Sequence, residues 1–169
     1  VRGAIALPHG LGKTVRVENK NVIAGTMIET LSASVKLANG KITEAFDIYK
    51  TALRIYPQHR ALIHGYAHAL LQNKQTETAL EFINKQLLLI PNDPQLFSLQ
   101  AQCYALLGDR MLEHRALAES YALKGHTAAA LDQLQTALQN SNGNFYQLSS
   151  VEARLKQIQA LKAEEDKEK

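Results

Sequence analysis

Apolar residues return at helical spacing along most of this chain, and prolines and glycines cut the pattern into short segments. Met27, Leu31, Val35 and Leu37-Ala38 give one apolar face over residues 26–39, closed by Asn39-Gly40. Ala45, Phe46, Ile48, Tyr49, Ala52 and Leu53 mark the buried side of a second helix, capped by Thr43 and stopped after Ile55 by Pro57. A third helix is expected from His59 to Gln72, with Leu62, Ile63, Tyr66, Ala67, Leu70 and Leu71 inward. A fourth is expected from Thr76 to Leu89, with Ala79, Leu80, Ile83, Leu87 and Leu88 inward. The turn Pro91-Asn92-Asp93-Pro94 leads into a fifth, Gln95 to Leu107, whose apolar side holds Leu96, Phe97, Leu99, Ala101, Cys103, Tyr104 and Leu106. Arg110 to Leu123 and Thr127 to Leu138 follow, the latter with Ala130, Leu134 and Ala137 inward. After a polar loop over residues 140–146, a last helix from Tyr146 to Leu161 has Leu148, Val151, Leu155, Ile158 and Leu161 as its seam.

Pro57 and Pro91 lie thirty-four residues apart, the period of tetratricopeptide (TPR) helix-turn-helix repeats. Anchored on Pro57, the repeat's small and aromatic positions fall on Ala45, Tyr49 and Ala52; anchored on Pro91, they fall on Ala67, Ala79 and Ile83. Neither helix of such a pair buries its apolar face alone, and stacking of neighbours makes the core continuous. In the second half, Cys103-Tyr104-Ala105-Leu106-Leu107-Gly108 is echoed seventeen residues later by Ser120-Tyr121-Ala122-Leu123-Lys124-Gly125. The helix between can close one unit and open the next. The pattern predicts an all-α, TPR-like helical-hairpin solenoid of about seven or eight helices, with an irregular second half and a C-terminal capping helix. Its organisation is a lead segment over 1–25, a TPR-like domain over 26–161 and a charged tail over 162–169.

Charge narrows the partners. The net charge is +3, and residues 1–20 account for it, because the remaining 149 residues carry fifteen basic and fifteen acidic groups. The repeat region has no basic excess to attract a polyanion, so no nucleic acid is expected there. No apolar run approaches a transmembrane length. Residues 1–25 lack the apolar core of a signal peptide. The single cysteine, Cys103, excludes an internal disulfide and a cysteine metal cluster.

The lead segment reads as a short hairpin, with strands at Ala4 to Leu7 and Thr14 to Val17 around Pro8 to Gly12, or as a lightly ordered stretch. Arg2-Gly3, Leu7 to Gly10 and Gly12 to Val17 resemble a stretch of ribosomal protein L1; nothing after Val17 continues the resemblance. Gly12-Lys13-Thr14 is similar to the end of a phosphate-binding loop, but Leu7 stands where its first glycine belongs. His64 and His68, four apart, have the spacing of a zinc pair; Gly65-Tyr66-Ala67 between them lacks the glutamate of a His-Glu-x-x-His hydrolase. His59, His114 and His126 stand alone, with no Ser or Asp placed to make a triad. Cys103 reads as a small core residue. The chain is therefore expected to be no enzyme and to hold no cofactor or metal.

In helical-pair solenoids the first helices line the inner surface. Arg60, His64, His68, Gln95, Gln102, Arg110, His114 and Ser120 are the resulting candidates for binding a protein or extended peptide. Tyr66, Tyr104 and Tyr121 can serve as core or as pocket wall.

The stretch Leu99 to Leu161 resembles the C-terminal TPR region of periplasmic M48 zinc metalloproteases of the beta-barrel assembly-enhancing type. The residues that carry the resemblance are Leu107-Gly108-Asp109-Arg110, Ala116 to Gly125, Ala130 to Leu134 and Glu152 to Gln159, with Pro57 to Arg60 fitting the preceding repeats. The resemblance implies a periplasmic, non-catalytic interaction module in outer-membrane protein quality control. It also implies as partners the module's own protease domain or outer-membrane assembly components. Zinc would belong to a protease domain that is not in this sequence. The alternatives are a cytoplasmic TPR adaptor and an RNA-associated protein acting through the basic lead segment.

Overall fold

A computed structural model describes residues 11–140 and 145–167, with side chains from residue 25 onward. Among the described residues the fold is all-α, in eight helices: α1 (Leu11–Ala38), α2 (Ile42–Ile55), α3 (Arg60–Gln72), α4 (Thr76–Leu89), α5 (Pro94–Leu107), α6 (Arg110–Leu123), α7 (Thr127–Gln139) and α8 (Phe145–Glu165). This is the TPR-like helical-hairpin repeat that the thirty-four-residue period predicts. The chain divides into two compact units, Val1–Tyr66 and Ala67–Lys169, with α3 running across the division.

In the first unit α1 packs on α2. It begins at Leu11, well before residue 26, so Thr14 to Val17 are helical and not a strand; the strand expected at Ala4 to Leu7 lies outside the described residues. The face that α1 turns inward also differs from the expected one. Thr26 and Ala33 are fully buried, whereas Met27, Leu31 and Val35 are 65%, 67% and 51% exposed. Small inward residues let two helix backbones approach closely, and Lys36 Nζ of α1 donates to Glu44 of α2; Thr26 Oγ1 lies 2.9 Å from His59 Nε2, in the turn before α3. Thr43 is not the cap of α2. The turn closed by Gly40, at φ 72°, starts that helix at Ile42, and Lys41 precedes it without a side-chain cap bond. Ala45, Phe46, Tyr49 and Ala52 are buried as the pattern predicts. Phe46 and Tyr49 both meet the Tyr66 ring at a centroid distance of 5.8 Å. A Cβ on Gly65 would come within 3.0 Å of the Tyr49 hydroxyl, so the missing side chain makes room for that ring.

The second unit shows why the period halves. Asp93 Oδ1 accepts from the amides of Gln95 and Leu96 and starts α5, with Pro94 in its first turn. Gly108, at φ 78°, ends α5; Gly125, at φ 76°, follows α6. The amide of Asp109 donates to the Tyr104 carbonyl and that of His126 to the Tyr121 carbonyl, the same closing bond seventeen residues apart. Helix α6 packs on both α5 and α7. It thereby closes one hairpin and opens the next.

Met111, Ala118, Ala130, Leu134, Ala137, Val151 and Ile158 form one buried cluster of α6, α7 and α8. Leu88 and Leu106 depart from their predicted burial, at 84% and 65% exposed. Consecutive leucines step about 100° around a helix, so Leu87-Leu88-Leu89 and Leu106-Leu107 cannot all fit one inward stripe. Helix α8 starts at Phe145 and continues past Leu161, itself 48% exposed, to Glu165. There the Glu165 carboxylate accepts from Thr127 Oγ1 and ties the last turn to the start of α7. No helix among the described residues is long and apolar enough to cross a membrane.

Candidate protein-binding site

Arg60, His64 and His68 recur every fourth residue on α3, which puts them on one face of that helix. Arg60 and His68 are exposed and His64 is half-buried. On α5, Gln95 and Gln102 stand seven residues apart and are both exposed. On α6, Arg110 is exposed and reaches Glu113 at 3.5 Å, a loose surface pair. His114 is half-buried, and its Nδ1 donates to Gln133 Oε1 of α7 at 2.8 Å.

Ser120 is placed differently from the other seven. It is buried, and its hydroxyl donates to the Pro94 carbonyl at 2.8 Å, latching α6 to the start of α5. Its polar atom is thus used within the fold. The other histidines are engaged as well: His59 bonds to Thr26, and the His126 ring lies 6.3 Å from that of Tyr121. His64 and His68 gain no third ligand, and no group of three or more His, Cys, Asp or Glu able to hold a metal occurs among the described residues.

Of the three tyrosines, Tyr66 is buried in the core, while Tyr104 and Tyr121 are half-buried. Burial raises the Tyr104 phenol above its ordinary pKa, Arg115 acts the other way, and Asp109 adds to the rise. Cys103 is fully buried and its thiol is pushed up to about 11 by burial, the environment of an inert core residue.

A groove that the helical pattern does not announce lies between α5 and α6. Phe97, Gln100 and Tyr104 line one side and Leu112, Arg115, Ala116 and Glu119 the other, around a volume of about 240 Å³. Gln100 Nε2 donates to Asn84 Oδ1 of α4 at 2.7 Å. Glu119 accepts two bonds from Arg154 of α8, at 2.9 Å from Nε and 2.7 Å from the nearer terminal nitrogen. Arg115 and Glu119 stand four residues apart on α6, a spacing at which opposite charges can pair. The fold gives Glu119 to Arg154 instead. Arg115 is left with no hydrogen bond or ion pair among the described residues.

Helical hairpins that present separate polar faces define a protein-interaction module of the TPR type. Residues 36–103 match the tetratricopeptide repeat family model. Over 133 residues, 78% of this chain, the sequence is 31% identical to the beta-barrel assembly-enhancing protease of Escherichia coli (strain K12). It is 28% identical over 131 residues to the protein of the same name from Yersinia pestis, again across 78% of this chain. The chain spans 27% of the length of either relative. A TPR-fold region of this chain thus matches the beta-barrel assembly-enhancing proteases. Among solved structures, a thermophilic TPR protein of Thermus thermophilus aligns over 78% of this chain and 80% of its own, with 20% identity and a TM-score of 0.43.

Proposed function

We propose that this chain is the protein-binding module of a periplasmic M48-type metalloprotease or chaperone engaged in outer-membrane protein quality control. The observation that carries the reading is the 31% identity to a beta-barrel assembly-enhancing protease across 78% of the chain. The protease chemistry would reside outside this sequence, where any zinc would also be held. The module's partners would be that protease domain, outer-membrane assembly components or their extended substrates. Arg60, His68, Gln95, Gln102 and Arg110 are offered as contacts, with His64 and His114 at the margins; their donors and acceptors suit the backbone and polar side chains of an extended peptide. The lead segment 1–25 and the tail 162–169 are assigned no part in binding.

Immobilised chain incubated with envelope extract from the encoding organism should retain an M48 protease domain or an outer-membrane assembly protein. Retention of neither would contradict the proposal. Retention of cytoplasmic chaperones alone would favour the adaptor reading.

A further inference from the structure

We propose that the groove between α5 and α6 seats an acidic side chain from within an extended polypeptide, its carboxylate on Arg115 and a neighbouring apolar side chain against Phe97 and Leu112. The inference rests on the protein-binding reading above but not on the residues or the compartment named there.

Size sets the first limit. About 240 Å³ holds one or two side chains and falls below the roughly 300–1,000 Å³ of most cofactor and drug sites. The groove is also partly open to solvent, as a chain passing through it requires.

Charge sets the second. Arg115 is the cation left unpaired in the wall, because Glu119, the carboxylate one turn away, is held by both of its bonds to Arg154. The other nearby carboxylate, Asp109, accepts from the Leu112 amide at 3.1 Å and caps α6. Neither acid is bonded to Arg115 among the described residues. Arg115 is half-buried in a wall it shares with apolar Phe97 and Leu112, and a partly buried guanidinium binds a carboxylate more strongly than one surrounded by water. Burial keeps the Tyr104 phenol protonated in the same wall, so it can donate beside Arg115. A single cation with apolar neighbours does not match a phosphate, which draws several donors.

The test uses the full chain and three pools of dodecapeptides, acetylated and amidated, with a central Leu-Glu, Leu-Gln or Leu-Lys pair and random flanks. A fourth pool ends in Leu with a free carboxylate. The Leu-Glu pool should be retained about tenfold more than the other three, and Arg115→Gln should erase that preference while the exposed control Lys85→Gln keeps it. Should Arg115→Gln lower the melting temperature, Arg115→Lys serves instead: it retains the charge and should retain the preference, weakened by loss of the two-pronged geometry. Equal retention of all pools, a preference that survives Arg115→Gln, or stronger capture of the free-carboxylate pool would each overturn the inference. Failure of the envelope capture above with a positive result here would remove the compartment and leave the groove standing.

Discussion

At the residue scale, several side chains do work that their local sequence does not suggest. Ser120 reads as an exposed contact and is a buried latch to Pro94. Glu119, four residues from Arg115 on the same helix, binds Arg154 instead, thirty-five residues away. Such pairings are set by which helices meet, and a one-dimensional periodicity does not contain them. Cys103, by contrast, was legible as core from its place on an apolar face, and its full burial gives a sign to the alkaline stability profile. Because burial raises the folded thiol from an ordinary 9.0 to about 11, the fold favours the neutral form. That contribution is complete below about pH 9 and is lost as pH climbs through about 11. Stability measured by urea unfolding should therefore fall over this window, and Cys103→Ala should fall less steeply, isolating the thiol from the tyrosines that titrate nearby. Parallel curves for the two proteins would contradict the assignment.

At the element scale, helix existence and most boundaries follow from the sequence, because proline stops and glycine turns fix where each apolar period ends. Helix α4 occupies its predicted span, and Ala130, Leu134 and Ala137 of α7 are all buried where the spacing puts them. The misread face of α1 has a physical cause. A stripe of large apolar residues at Met27, Leu31 and Val35 dominates the periodicity, yet the residues of α1 that are buried are the smaller Thr26 and Ala33, on another side of the helix. Hydrophobicity alone does not weigh close approach against bulk. Where the stripe and the packing agree, as at Leu134, the consequence is measurable. Leu134→Ala leaves a cavity in the cluster shared by α6, α7 and α8 and should cost about 2–5 kcal/mol of unfolding free energy. An exposed leucine such as Leu88, changed in the same way, should cost roughly 0.5 kcal/mol or less. Equal losses at the two positions would be incompatible with this core.

At the scale of the whole molecule, the repeat period was enough to predict an all-α chain of TPR-like hairpins. The half-period echo was enough to predict that α6 would serve two hairpins. The proposed binding face was less legible, since a solvent-facing polar residue and one committed to a neighbouring helix have the same sequence signature; His114 with Gln133 and Ser120 with Pro94 are cases in point. The groove at Arg115 escaped for the same reason, its free cation being a product of the Glu119–Arg154 pairing. The central claim is that exposed polar positions on α3, α5 and α6 bind other proteins. Site-specific photocrosslinking in the encoding organism tests it most directly, with a photoreactive phenylalanine analogue introduced singly at His68, Gln102 or Arg110 and, as off-face controls, at Lys85 or Lys156. The account predicts discrete protein adducts from the first three positions and none of comparable yield from the controls. Adducts from the controls alone, or from no position, would contradict it.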